Sequence, residues 1–287
     1  MTKFSDPVVL IRPALPRDTA DVVEFTKSIW DGHDYVGHVF PEWLDDPAGQ
    51  LFAAEYAGRC VGTGKITRLA PAQWWLEGFR VDPNFQGMKI GSMIDARCNA
   101  WWDEHGDGLL RLLTSSKRAK VHHLSEARGF VKVGDVFGYS ASALTGSADA
   151  FTLLTPPEAG EAVAFLNRHA PGRLMNLGWQ FVSPNVDSLH ALAEAGLAWW
   201  WRGRRGFLSA WENDSEDESG LTVGYEACGE EDRAAMLKDF RRLAGSRGMN
   251  IAGWMNVVDA KAIEALEEAG YEQAGDDSGF LYERGHP

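Results

Sequence analysis

The sequence predicts an α/β fold with a mixed sheet, arranged as two successive domains. Three observations support this prediction. In residues 79–94 a strand, a tight glycine-bearing turn and a helix start follow one another. Strand-like and helix-like stretches alternate on both sides of that segment. The chain has 287 residues, which is near the size at which a single hydrophobic core stops growing and chains divide into domains.

Each element of the first half is predicted from its apolar pattern. Strands have apolar runs bounded by turn residues, and helices have apolar residues at helical spacing. In the helix after the glycine turn, the apolar stripe is Ile90, Ile94, Cys98 and Trp101, and Gly106 is suited to a left-handed cap. The predicted strands are 8–14, 50–56, 60–69, 73–81, 109–115 and 130–137, and the other helices are a short one after Asp18 and 119–128.

The second half repeats this alternation. Glycine closes a helix after Ala195 and after Ala269, as Gly129 does in the first half, which is a weak internal repeat. The acidic residues 212–218 are interpreted as a solvated linker. The predicted domains are 1–148 and 149–287. We interpret the second as a degenerate copy of the first; common helix-ending chemistry is the alternative explanation of the repeat. Its predicted strands are 151–154, 174–182, 198–202, 207–211 and 250–255, and its helices are 157–169, 186–195, 230–244 and 260–269.

Composition restricts the kinds of partner. A net charge of −13 argues against nucleic acid or an anionic membrane as a partner, but it allows a cationic or amine substrate. The three cysteines are scattered and show no zinc-ligand spacing, which predicts a reducing, cytoplasmic location and no metal. No run approaches the ~18–20 apolar residues that a membrane helix needs. We expect a monomer or homodimer.

The glycine turn of residues 81–92 is a candidate phosphate site. A helix that opens after such a turn leaves its first N–H groups without intrahelical partners, at the positive end of the helix dipole. The turn matches neither the P-loop nor the dinucleotide pattern. It resembles the acyl-CoA pyrophosphate loop of the GNAT superfamily of N-acetyltransferases, [Q/R]-x-x-G-x-[G/A] after V-x-P. Val81, Pro83, Gln86, Gly87 and Gly91 stand in the expected places, whereas Lys89 replaces the middle glycine. An ordinary strand-to-helix turn is the alternative interpretation.

The resemblance covers roughly the first half of the chain and includes the ending Gly129-Phe130 of the 119–128 helix. It implies a GNAT acyl-CoA N-acyltransferase fold followed by a second, smaller GNAT-like α/β domain. It also implies acetyl-CoA as co-substrate. The residues that would bind it are Phe79, Val81, Gln86, Gly87, Met88, Lys89, Ile90, Gly91, Ser92 and Ser116.

GNAT chemistry is direct attack of a neutral amine on the acetyl thioester. The reaction needs a base, and Glu77 is our candidate because it lies on the strand that leads to the loop. Strand alternation predicts that Glu77 shares one face with Trp75, Phe79 and Val81. A purely structural carboxylate is the alternative. Many GNAT enzymes place a tyrosine acid where this chain has Ser125, so Ser125 is the candidate acid.

Acceptor contacts are expected from the segment 30–44, which lines the acceptor side of the cleft in the family. Asp34, Tyr35 and Trp43 are the candidate substrate residues, because acids and aromatic rings attract ammonium groups. A short similarity to a subgroup that includes histidine α-amine acetylases favours a small amine or amino acid as acceptor. Two alternatives remain open: a non-catalytic acyl-CoA sensor on the same fold, and an acetyltransferase that modifies protein tails.

Overall fold

The computed structural model describes residues 8–214 and 219–287. The fold has two compact units. One extends to Leu112 and includes Arg284–Pro287, and the other is Leu113–Glu283. The predicted domain division after residue 148 stays a prediction. Among the described residues, no helix combines the length and apolar character needed to cross a membrane.

The first unit is a mixed sheet with helices on both faces. Strands β1 to β4 are antiparallel neighbours in chain order, and β5 runs parallel to β4. The parallel pairing joins Gln73–Trp75 to Leu109–Arg111. The elements are β1 Leu10–Pro13, α1 Thr19–Thr26, α2 Val36–Leu44, β2 Gly49–Tyr56, β3 Arg59–Ala70, β4 Gln73–Val81, α3 Ile90–His105 and β5 Leu109–Ser115, whose last residues belong to the second unit.

Helices α1 and α2 pack on one face of this sheet and α3 packs on the other. The α3 face is tight, since a Cβ at Gly64 would lie 2.6 Å from Ile94. Glycines in β3 therefore allow the helix to approach the sheet closely. The opposite core consists of Val22, Phe25, Val36, Phe40, Leu51, Ala53 and Cys60.

The second unit repeats the order strand, two helices, three antiparallel strands, helix and parallel strand. Here β7, β10, β11 and β12 are antiparallel neighbours, and β13 is parallel to β12. The elements are α4 Ala119–Ala127, β6 Val131–Ser142, β7 Phe151–Leu153, α5 Ala159–His169, β8 Met175–Asn176, β9 Phe181–Val182, α6 Val186–Glu194, β10 Ala198–Trp201, β11 Gly206–Asp214, β12 Ser219–Cys228, α7 Arg233–Ser246, β13 Ile251–Val257, α8 Ala260–Glu268, β14 Glu272–Gln273 and β15 Gly279–Gly285.

Some sequence predictions are wrong in detail. Residues 174–182 form the hairpin β8–β9, not one strand. Residues 212–214 of the predicted acidic linker belong to β11, which pairs with β12, and the rest of that prediction, residues 215–218, lies outside the described residues. Gly106 is extended, with φ −87° and ψ −177°, and the buried tryptophan of α3 is Trp102.

Candidate active site

Strand β4 contains a bulge at Gly78. The pairing with β3 shifts register between Thr63 and Lys65, and Gly78 has a φ of 68°. A Cβ at Gly78 would lie 2.5 Å from the ring of Trp43. Both the backbone angle and the packing therefore require glycine here.

The bulge directs the side chains of Glu77 and Phe79 to different faces of the sheet. Glu77 accepts a hydrogen bond of 2.6 Å from the hydroxyl of Thr67. Phe79 lies beside Ile94 of α3, because both side chains approach Gly64. The prediction that Glu77 and Phe79 share a face is wrong, since one inserted residue reverses the alternation.

Glu77 belongs to a charged cluster around a buried ammonium group. Lys65 Nζ lies 2.5 Å from Asp46 Oδ2, 3.9 Å from Glu77 Oε1 and 5.5 Å from the centre of the Trp43 ring. Burial acts to raise the pKa of Asp46, but the hydrogen bonds from Lys65 and the Ala48 N–H, together with the charge of Lys65, outweigh burial and leave the pKa lowered. Glu77 is therefore surrounded by charged and hydrogen-bonding groups as well as by an aromatic ring.

A second ion pair lies on the same face of β4. Arg80 donates to both oxygens of the fully buried carboxylate of Asp34, at 2.6 and 2.9 Å. Its guanidinium lies 4.3 Å from the ring centre of Trp30 and 5.5 Å from that of Tyr35. Burial raises the pKa of Tyr35, with Arg80 acting in the opposite direction.

The three candidate substrate residues are thus close to one another. Tyr35 and Trp43 make an edge-to-face contact with ring centres 6.2 Å apart. However, Asp34 is the counter-ion of Arg80, and Trp43 lies against Lys65. Asp34 therefore already neutralises one of the chain's own cations and Trp43 contacts another, while Tyr35 remains 45% exposed.

The predicted phosphate loop connects β4 to α3. Asp82 accepts a hydrogen bond of 2.9 Å from the N–H of Asn84, which fixes the turn after β4. Residues 86–89 are exposed, and α3 begins at Ile90. Lys89 has a φ of 61°, so lysine holds the left-handed conformation at the position of the family's middle glycine.

The loop leaves space for a ligand. A Cβ at Gly91 would meet Val81 at 3.8 Å, which is ordinary contact, and a Cβ at Gly87 would meet no atom within 4 Å. The first N–H groups of α3 point along the helix axis beside this space. The loop therefore fits a pyrophosphate group, which its backbone N–H groups and Lys89 would hold.

Two further candidates belong to the second unit. The carbonyl of Ser125 accepts a hydrogen bond of 3.1 Å from the N–H of Phe130, and the residue is buried. The hydroxyl of Ser116 donates to Asp277 at 3.2 Å, and its N–H donates to Ser278 at 2.8 Å. Catalysis by Ser125 and acyl-CoA binding by Ser116 stay predictions.

The second unit has no counterpart of the loop among its described residues. A single 3-10 turn, Glu230–Asp232, runs directly into α7, and all three of its residues are acidic. Asn176 of the β8–β9 hairpin donates a 3.0 Å hydrogen bond to Met255 of β13, and its carbonyl oxygen lies 2.1 Å from where a Cβ of Gly224 in β12 would be. The hairpin thus occupies the space between these parallel strands.

Sequence reasoning missed four polar residues of this site: Asp46, Lys65, Thr67 and Arg80. In β3 the signal was present, because Thr63, Lys65 and Thr67 alternate with small or apolar residues in a strand that is otherwise apolar. That period of two marks one polar face. Asp46 follows α2 in a loop, where the sequence gives no comparable pattern.

Comparison with known proteins finds a family model that matches part of the first half of the chain. Residues 19–130 match the model of the Acetyltransferase (GNAT) family. The human protein named "Probable N-acetyltransferase 16" is 24% identical over 209 residues, covering 65% of this chain and 57% of that protein. The match therefore spans little more than half the length of that relative.

Solved structures share the fold over nearly the whole chain. A GCN5-related N-acetyltransferase from Sphaerobacter thermophilus is 12% identical with a TM-score of 0.66, covering 96% of this chain and 95% of that one. A tandem GNAT protein from the clavulanic acid biosynthesis pathway is also 12% identical, with a TM-score of 0.63, covering 98% and 99%.

The fold is therefore that of a tandem GNAT protein, with two GNAT-like α/β units, as the sequence predicted. The part of the chain that matches the GNAT family model, residues 19–130, includes β4, the glycine loop and the start of α3.

Proposed function

We propose that this protein transfers an acetyl group from acetyl-CoA to a primary amine of a small molecule or amino acid, by direct attack in a ternary complex. The observation that carries the proposal lies in β4. This strand holds Glu77 beside the candidate acceptor residues and then leads into the glycine loop at the start of α3. Because Glu77 and the loop that would bind the pyrophosphate adjoin the same strand, the distance between the base and the cofactor site is fixed.

Each catalytic task has a candidate group. Glu77 would accept the proton that the amine loses, directly or through one water molecule. Backbone N–H groups of β4 beyond Trp75, where pairing with β5 ends, would stabilise charge on the carbonyl oxygen. Acetyl-CoA supplies the thioester: a C–N bond forms, the C–S bond breaks, and the thiolate departs. A thiol with a pKa of about 8.5 leaves without a dedicated acid, so Ser125 would assist by hydrogen bonding only.

The local charge supports a cationic acceptor. The two ion-paired groups together contain three carboxylates and only two cations, so their formal net charge is negative. The carboxylates are Asp34, Asp46 and Glu77, and the cations are Lys65 and Arg80. The exposed parts of Tyr35 and Trp30 offer aromatic surface next to it. Free thiols at all three cysteines support our proposal that the protein works in the reducing cytoplasm.

A screen of small amines and amino acids, followed by release of free thiol from acetyl-CoA, tests this function. We expect saturable turnover with a subset of primary amines and none with tertiary amines. A histone-tail peptide belongs in the same screen. Preference for the peptide would overturn the small-molecule assignment, and acetyl-CoA binding without turnover of any acceptor would identify a sensor.

A further inference from the structure

Lys65 is a buried cation whose partners all belong to the candidate active site. Its side chain is 2% exposed, and Nζ lies 2.5 Å from both Asp46 Oδ2 and Thr67 Oγ1. A charge is costly to bury unless its partners compensate for lost water. Lysine at this position therefore needs an explanation, because an apolar residue would fill the core of β3 at lower cost.

The hydroxyl of Thr67 connects the ammonium group to Glu77. An ammonium group only donates hydrogen bonds, so the Thr67 oxygen accepts from Lys65. The single hydroxyl proton of Thr67 is then directed to Glu77 Oε1, at 2.6 Å. Asp46 is itself fixed by the N–H of Ala48 at 2.8 Å. The hydrogen bonds thus form a chain with one direction, from Lys65 through Thr67 to Glu77.

We propose that Lys65 is a positioning residue for the base: it orients the Thr67 hydroxyl so that the carboxylate of Glu77 is held in one orientation. This inference rests on the proposed function, in which Glu77 accepts the amine proton. Without the ammonium group, the Thr67 hydroxyl is free to turn away. Asp46 and Glu77 then face each other as like charges with no cation between them.

Steady-state kinetics of full-length variants test the proposal, with the best amine from the screen. Thr67→Val removes the hydroxyl at nearly constant volume, and Thr67→Ser keeps it. We expect Thr67→Val to lower kcat by roughly 10–100-fold, the effect of losing a hydrogen bond to a charged group. The KM for acetyl-CoA should not change, and Thr67→Ser should restore most of kcat.

The matched control is Thr63→Val. Thr63 lies on the same strand and is fully buried, but its hydroxyl donates to the carbonyl of Phe52 at 3.0 Å and not to the cluster. A general effect of losing a buried hydroxyl would lower kcat equally in both variants. We expect Thr63→Val to keep the wild-type kcat, even if its melting temperature falls.

A double-mutant cycle separates this inference from the proposed function. If Thr67 and Lys65 act through Glu77, then Thr67→Val and Lys65→Met should cause no further loss in a Glu77→Gln background. Additive losses, or a wild-type kcat for Thr67→Val, would overturn the inference while leaving Glu77 as the base. Full activity of Glu77→Gln would overturn both. If Lys65→Met does not fold, the Thr67 variants decide the question alone.

Discussion

Glu77 and Arg80 lie three residues apart on β4, on either side of the Gly78 bulge, and both face α2. Arg80 is fully engaged by Asp34, and Glu77 is bonded to Thr67. The bulge is what brings them to one face, since residues 77 and 80 would otherwise point in opposite directions. Of the two, Glu77 is the one suited to accept a proton.

The first prediction concerns this carboxylate. Glu77→Gln should lower turnover by roughly 10²–10⁴-fold at neutral pH, the range for losing a general base. Acetyl-CoA affinity should stay nearly unchanged, because the loop is untouched. The loss should shrink at high pH, where the amine arrives neutral. Glu24→Gln, at an exposed position of α1, serves as control. Wild-type turnover at neutral pH would exclude Glu77 as the base.

The second prediction concerns Lys89. Its left-handed conformation costs a lysine about 1 kcal/mol, and an alanine similarly, but costs glycine nothing. Lys89→Gly should therefore bind acetyl-CoA and melt at a higher temperature than Lys89→Ala, as followed by calorimetry and thermal denaturation. Loss of binding in both variants would instead show that the charge of Lys89 is indispensable.

Part of the candidate site was predictable from the sequence. Asp34, Tyr35, Trp43 and Glu77 were named from the sequence and lie close together in the structure. Their partners were not predictable in the same way. Whether Glu77 faces Lys65 or α3 depends on one bulge, and the charge pairing of Asp34 depends on a residue 46 positions away. Neither is a local property of the chain.

At the scale of elements, the start of α3 carries the third prediction. Gly91→Glu places bulk and negative charge in the space beside the first turn of the helix, so calorimetry should detect no acetyl-CoA binding. Gly160→Glu is the matched control. Gly160 is also the second residue of its helix, α5, and a Cβ there meets no atom within 4 Å.

If Gly91→Glu binds acetyl-CoA with unchanged affinity, the loop is not the cofactor site. If Gly160→Glu also loses binding, the effect is a general response to charge or altered stability. Both outcomes can be read from the same pair of titrations.

Elements with strong periodicity were predicted closely. The bounds of β4 and β5 agree with the sequence prediction, because apolar runs end there at clear turn residues. The strands β12 and β15 were missed, and β8–β9 was taken for one strand. Acidic or glycine-rich neighbouring residues obscure the apolar patterns of β12 and β15. In the β8–β9 hairpin, the turn contains Gly178 and Trp179, which both have positive φ. Their pairing partners are distant in sequence, so local patterns did not reveal them.

At the scale of the whole molecule, we predict one acetyl-CoA per chain. The second unit places Glu230, Glu231 and Asp232 immediately before α7, where a pyrophosphate would meet like charges. Calorimetric titration at moderate salt should give a stoichiometry near one, because salt screens non-specific binding to exposed arginines. A second saturable site that survives Gly91→Glu would contradict this.

In the second unit, a glutamate stands at the position that corresponds to Arg80. Glu226 lies two residues after Gly224, at the register shift of β12, as Arg80 follows Gly78 in β4. Burial opposes ionisation of Glu226, but Arg233 and Arg173 keep its pKa lowered. Glu226 also accepts a 3.0 Å hydrogen bond from Trp254. The buried pair thus has the opposite polarity in the two units.

This reversed polarity has a consequence for folding. Two similar halves on one chain risk exchanging segments while they fold. If the segment between α1 and α2 docked on β12, its Asp34 would meet Glu226. If the segment between α5 and β8 docked on β4, its Arg173 would meet Arg80. Either mistake brings two like charges together at a largely buried position, which is costly. We therefore expect the two ion pairs to favour docking of each segment in its own unit.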